Sequence, residues 1–181
     1  DPADLYDATS NFRTSASDHS RAGAGLFLES LSELIPGKRF RCVVDVGCND
    51  LYLLRKMEGN SDHRVGIDPI WAGKEDEVED ENLSVIGTGI EDAGLTRKLP
   101  ESPDLVILRH TIEHLPDPAQ VLGKIVDFAS DDSYIALEMP GLESMLERAR
   151  FDQIFHHHLQ YFSIQSSANL AKRFGLSLIA W

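Results

Sequence analysis

The segment Val43 to Asp50 reads VVDVGCND, a mostly apolar run that breaks at a glycine and continues in polar residues. Cys42 to Val46 is too short for a helix, and its apolar side chains fall on both faces of an extended chain, which describes a strand covered from both sides. Leu51 to Met57 reads as a helix opening directly from the turn. A strand buried on both faces and followed at once by a helix needs a layered fold, with helices packed on either side of a sheet.

The alternation continues along the chain. Arg64 to Ile67, Leu83 to Gly87, Asp104 to Leu108 and Ser133 to Leu137 are further short strand-like runs. Helical stretches lie between them, the clearest being Pro118 to Ala129 with Val121, Leu122, Ile125, Val126 and Phe128 on its apolar face. Right-handed crossovers then dictate an α/β fold with a doubly wound, Rossmann-like, mostly parallel sheet flanked by helices. Upstream, Leu26, Phe27, Leu31 and Leu34 recur at helical spacing and Pro36-Gly37 ends that helix. Downstream, helices are expected at Leu142 to Arg150 and at Ser166 to Phe174, the second closed by Gly175, and a sixth strand at Leu176 to Trp181. The expected organisation is a polar lead-in plus helix over residues 1 to 36, covering the binding crevice, and a core from 37 to 181.

Composition narrows the functions open to such a fold. The 181 residues suit about one domain. The net charge of −13 repels a phosphate backbone and argues against nucleic acid as a partner. No apolar run reaches the roughly 20 residues needed to span a bilayer, so no membrane partner is expected. The first residues lack an export pattern, and the two cysteines, Cys42 and Cys48, are expected as free, buried thiols, all of which suits the cytoplasm. The acidic block Glu75 to Glu81 (EDEVEDE) is expected to be a solvated face.

In a doubly wound sheet, ligands sit beyond the carboxyl ends of the strands. Four such ends carry groups suited to a nucleoside. Gly47 lets the backbone turn sharply close to a ligand, Asn49 follows it, and Asp45 offers a carboxylate to an ammonium group. Asp68, 18 residues after Asp50, is placed to accept from both ribose hydroxyls. The backbone N–H of Ile90 and the acid of Glu91 suit the edge of an adenine, and His110 closes the fourth strand. A nicotinamide dinucleotide needs G-x-G-x-x-G/A against its pyrophosphate, whereas this turn has the single Gly47 followed by Cys48, Asn49, Asp50 and Leu51. Acidic groups suit a sulfonium and an ammonium better than a diphosphate, so the expected cofactor is S-adenosyl-L-methionine (SAM).

The order VVDVGCND, VGIDP, DLVILRHTIEHLPDP resembles the class I SAM-dependent methyltransferases. The combination of YDATSNFRTSASDHS (Tyr6 to Ser20), GCND and EMPG…FDQIFHHHLQYFS (Glu138 to Ser163) is similar to the sugar C-methyltransferases, which methylate nucleotide-linked deoxysugars. The resemblance implies a SAM-dependent methyltransferase with a small, nucleotide-sugar-like acceptor. In that family the late segment reads Tyr-His-Glu-His, and its last histidine removes a proton next to a ketone; here the segment is Phe155-His156-His157-His158, so His158 takes that role. The family usually has glycine where this chain has Leu51, which is expected to narrow the turn near the methionine end of the cofactor. It also carries an upstream cysteine-rich zinc module and a downstream domain. Folds of this class add an antiparallel seventh strand, for which no segment is found here, so the sixth strand would present an apolar edge suited to a homodimer.

Read without the resemblance, His158 can line the cleft as a general base or belong to a packing or solvent-facing histidine cluster, and His110 is a second candidate base. An extended 156–158 segment would put His156 and His158 on one face and His157 on the other. A metal is not expected, because no third ligand can be placed beside these histidines. Glu113 and His114 are read as packing the helix that begins near Pro116, or as shaping the acceptor pocket. The departures at Phe155, His157 and Leu51 keep a second reading open: a SAM-fold domain that binds or assembles without turnover.

Overall fold

The computed structural model describes residues 13–181. Positions 6–12 of the Tyr6-to-Ser20 motif, and with them most of the lead-in, lie outside the described residues. Five parallel strands form one sheet: β1 (Phe40–Val46), β2 (Ser61–Ile67), β3 (Leu83–Ile86), β4 (Leu105–Arg109) and β5 (Tyr134–Glu138). Their order is β3-β2-β1-β4-β5. The chain moves outward in one direction from β1 to β3 and then in the other through β4 and β5, so the order reverses beside β1. This is the doubly wound arrangement, and it puts the crevice at the carboxyl ends of β1 and β4.

The two-residue period of β1 divides the core. Val44 and Val46 face one side, with Val106, Leu108 and the apolar stripe Val121, Ile125 and Phe128 of α3 (Pro118–Phe128). Val43 faces the other, with Leu105 and Ile107, the leucines of α2 (Tyr52–Lys56) and Ala24 of α1 (Asp18–Leu34). Local chemistry starts each helix. The Ser17 side chain accepts from Ser20 N–H ahead of α1, and Asp117 accepts from Gln120 N–H ahead of α3, where Pro118 needs no donor of its own. Ser163 and Ser166 cap α5 (Ile164–Arg173) reciprocally. The remaining helix, α4 (Leu142–Glu147), is shorter than expected and stops before Arg148.

Two expectations are corrected. Leu176 to Trp181 is not a strand. Gly175, at φ +73°, reverses the chain after α5, and Leu176 N–H closes back on the Ala171 carbonyl at 3.1 Å. β-branched and aromatic content makes a strand only where a sheet edge is in reach, and this segment pairs with none among the described residues. The apolar strand edge expected to support a homodimer is therefore not formed; β3 and β5 are the edges. The acidic block is also more than a solvated face. Glu75 Oε1 accepts from Gly87 N–H at 3.2 Å, and Asp80 pairs at 3.1 Å with Arg64, whose side chain is only 4% exposed.

The Arg64 pair carries a stability prediction. Asp80→Ala leaves a buried guanidinium with the Leu54 carbonyl at 3.4 Å as its remaining acceptor. Breaking one side of a buried ion pair costs about 3–5 kcal/mol; with Asp80 itself partly solvated we expect about 2–4 kcal/mol in urea unfolding. Glu79→Ala, in the same block, should change stability by less than about 0.5 kcal/mol. Equal effects at the two positions would show that the block acts only through its net charge.

Candidate active site

The parallel register brings the strand ends level. Val46 lies beside Ile67 and Leu108, Ile67 beside Ile86, and Arg109 beside Glu138. The residues that follow each strand therefore share one rim. After β1 the chain turns through Gly47 at φ +77°, Asn49 at +50° and Leu51 at +63°. Gly47 and Cys48 N–H both donate to the Ile67 carbonyl, at 2.8 and 3.4 Å, which ties the turn to β2. A Cβ on Gly47 would collide with the Thr111 hydroxyl and come within 3.0 Å of its methyl. Thr111 was not singled out by the sequence; its hydroxyl, 3.0 Å from the Val46 carbonyl, fastens the β1 turn to the loop after β4.

Asp68 shapes the turn. Its two carboxylate oxygens accept from Asn49 N–H at 2.9 Å and Ile70 N–H at 3.1 Å, leaving further lone pairs for a ligand. Trp71 Nε1 donates to the Asn49 carbonyl at 2.7 Å, and Ser15 N–H donates to Asp50 at 2.8 Å, so the start of the described chain meets the same turn. Leu51 does not narrow the crevice as expected. Its side chain is fully buried beneath Gly66 of β2, where a Cβ would lie 2.8 Å from Leu51 Cδ2. The left-handed backbone at this position explains why a glycine suits it.

Asp45, 3% exposed, lies on the same rim. Burial pushes its carboxyl up to about 8, the neighbouring Asp68 adds to the rise, and the Arg109 guanidinium opposes it. Arg109 is itself paired with Glu138 at the end of β5. Farther round, Ile90 is buried in the core at the turn after β3, Glu91 is exposed, and its carbonyl accepts from Lys124 of α3. The structure thus brings Asp45, Gly47, Asn49 and Asp68 together, with Ile90 and Glu91 on a neighbouring loop.

The second half of the site lies beyond β4. His110 sits at φ +51°, with Nδ1 3.6 Å from Glu113 Oε1 and Nε2 3.6 Å from Glu138 Oε1. Glu113 and His114 occupy a single helical turn (Ile112–His114), and the Glu113 carbonyl accepts from Leu159 and Gln160 N–H, docking the histidine-rich segment on it. That segment is a turn and not an extended run, so the expected sharing of a face by His156 and His158 is corrected. His156 and His157 pack edge to face outside, while His158, 9% exposed, turns inward against His114, with ring centroids 5.0 Å apart. Phe155 lies 4.1 Å from the His158 ring. Burial pushes the His158 imidazole down, and the neighbouring His114 and His110 act the same way against the opposing Glu113. His158 Nδ1 is 3.0 Å from the Gln153 carbonyl and His114 Nδ1 is 2.8 Å from the His157 carbonyl. A carbonyl only accepts, so both Nδ1 atoms carry hydrogen, and in neutral His158 the basic atom is Nε2.

The arrangement can do two things: hold a cationic, hydroxyl-bearing ligand on the acidic β1–β2 rim, and move a proton on the histidine side. The donor set fits SAM, since Asp45 and Asp68 suit an ammonium and hydroxyls, and Arg109 is occupied by Glu138.

Residues 19–180 match the family model described as a methyltransferase domain. The C-methyltransferase NovU of Streptomyces niveus is 33% identical over 148 residues, which covers 76% of this chain and 33% of that protein. The chain thus spans about a third of the length of that curated relative. Among solved structures, the N-methyltransferase NodS from Bradyrhizobium japonicum WM9 superposes with a TM-score of 0.60 at 13% identity, covering 84% of this chain and 80% of that one. The plantazolicin methyltransferase BpumL, solved with a monoazolic desmethylPZN analog and SAH, gives 0.60 at 15% identity, over 81% of this chain and 60% of that one. At these identities the structural likeness carries the fold. No helix of the described residues is long and apolar enough to cross a membrane.

Proposed function

The chain belongs to the methyltransferase domain family, whose cofactor is SAM, and we propose that it methylates a small, nucleotide-sugar-like acceptor with His158 as general base. The observation that carries this is the inward turn of His158, with Nδ1–H on the Gln153 carbonyl and the ring packed beside Glu113 and His114. Gly47, Asn49, Asp45, Asp68, Ile90 and Glu91 form the cofactor side. SAM held there would supply an electrophilic methyl group, its S–CH3 bond breaking with the electron pair left on the sulfur of S-adenosylhomocysteine. His158 Nε2 would take the proton next to the acceptor's ketone, and the electron pair of that C–H bond would form the enolate, the carbon nucleophile for that methyl group. For a hydroxyl acceptor, the same nitrogen or His110 takes the O–H proton. Alignment is the larger part of such a displacement, and a base adds to it. The relative's name, a C-methyltransferase, supports the carbon version.

The test is incubation with SAM and a nucleotide-linked 4-ketodeoxysugar, followed by mass spectrometry and carbon NMR. The expected product carries one new C-methyl group. SAM binding without transfer to any keto or hydroxyl acceptor would instead establish the silent domain. Phe155 favours that reading, since it lies on His158 with no hydroxyl to take part in proton transfer.

Asp45 gives this function a pH signature. Its folded-state value of about 8 lies above the ordinary 3.8, because burial and the neighbouring Asp68 disfavour the charge and Arg109 opposes them. Between those values the unfolded chain has released the proton and the folded one keeps it, so cofactor-free stability falls as pH rises from about 4 to about 8. An ammonium on Asp45 selects the ionised form. SAM binding is therefore expected to release close to one proton at about pH 6.5, and to tighten by up to about tenfold per pH unit as the pH rises towards about 8. Calorimetry in two buffers of different ionisation heat counts the proton; Asp45→Asn should release none. A count of zero for the unmodified chain separates Asp45 from the cofactor.

A further inference from the structure

We propose that Glu113, His114 and His158 form a binding site for one divalent transition-metal ion of the zinc class. One donor atom from each lies within 4.8 Å of the others. Zinc is commonly held by two imidazoles and a carboxylate with a fourth position open. Bonds of about 2.1 Å set tetrahedral donors about 3.4 Å apart, so a small rotation of the side chains closes the set.

Three features point to a ligand. Glu113 is 2% exposed, and neither of its carboxylate oxygens accepts a hydrogen bond. His110 Nδ1 stays 3.6 Å from Glu113 Oε1. A buried carboxylate is costly unless it is paired, hydrogen-bonded or bound to a metal. His158 is also oriented as metal ligands are, its Nδ1–H held by the Gln153 carbonyl so that Nε2 is its ligating atom, and the His114 ring is fixed beside it by the contact of its Nδ1 with the His157 carbonyl. Finally, the site is assembled from two segments 44 residues apart, docked by the bonds from Leu159 and Gln160 to the Glu113 carbonyl. Imidazole with a carboxylate selects zinc, iron(II), cobalt or nickel over calcium or magnesium.

The consequence is regulatory, and this part rests on the reading of His158 as base. A metal on Nε2 takes the lone pair that would accept the acceptor's proton, so ion binding and proton removal by His158 exclude one another. Zinc at saturation should then suppress methyl transfer.

Binding is tested on the full chain with cobalt(II) as a visible probe and zinc as the competitor, without SAM or acceptor. The expected result is one cobalt per chain with tetrahedral d–d absorption, displaced by one zinc. Glu113→Gln, which keeps the shape of the side chain, and His158→Ala should each weaken zinc at least about tenfold, while a His156→Ala/His157→Ala double variant should bind as the unmodified chain does. Undiminished binding by Glu113→Gln and His158→Ala, or loss of the signal in the double variant, overturns the site. If zinc binds as described and transfer continues unchanged, the metal site stands and the assignment of His158 as base fails.

Discussion

Replacing His158 with alanine is expected to lower methyl transfer by about 10²–10⁴-fold, the usual contribution of a positioned acid–base group, while SAM affinity changes by less than about threefold. The separation follows from the layout. His158 is docked on the loop after β4, and the proposed cofactor side comprises the turns after β1, β2 and β3. His158 also packs against Phe155 and His114 and ties down the Gln153 carbonyl, so its removal loosens the segment. Two measurements separate the roles. Added imidazole should restore part of the rate if the lost group is a base, because a free imidazole replaces a proton acceptor but not a packing contact. His156→Ala, on the exposed side of the turn, should leave the rate within about twofold. A variant that keeps the wild-type rate assigns proton removal elsewhere, with His110 the next group to test.

Gly47→Ala is expected to weaken SAM binding by at least about 100-fold. Two costs coincide at this residue. An L-residue in the left-handed region loses about 1–2 kcal/mol, and the new methyl meets the Thr111 side chain. Thr111 has little freedom to yield, because its hydroxyl lies 3.0 Å from the Val46 carbonyl and 3.2 Å from the Arg109 carbonyl. Relief therefore comes from moving the turn itself, along with Asn49, whose N–H is held by Asp68. Gly73 is the matched comparison. Its φ is +74°, but nothing lies within 4 Å of a Cβ there, so Gly73→Ala should cost about 1–2 kcal/mol of stability and leave SAM affinity unchanged. Titration calorimetry on both variants decides the point: equal affinities would mean that the β1 turn does not hold the cofactor.

Much of the fold was legible in short-range pattern. The five strands fall within a few residues of their expected places because each apolar run, being covered on both faces, leaves little freedom in how it is used. The Gly47 turn was equally readable, since a glycine between a buried strand and a helix has few other uses. The misread elements share a cause. Leu176 to Trp181 has strand composition, but whether it pairs depends on a neighbouring edge, and Gly175 directs it away. Leu51 was expected to narrow the crevice, yet the side chain's direction is set by the left-handed backbone and by the space beneath Gly66. The three histidines were read as extended, whereas the bonds from Leu159 and Gln160 to Glu113 hold the following residues against the β4 loop.

The sequence by itself determined the layered α/β architecture, the strand ends that carry the acidic groups, and the cofactor class those groups suit. These depend on periodicity and on residues adjacent along the chain. Only the tertiary structure decided that His158 turns inward while its two neighbours stay outside, and that it meets Glu113 and His114. Those contacts join segments 44 residues apart, and no local spacing encodes them. A buried carboxylate without a hydrogen bond and two imidazoles held by backbone carbonyls are properties of packing, which brings together side chains that the sequence keeps apart.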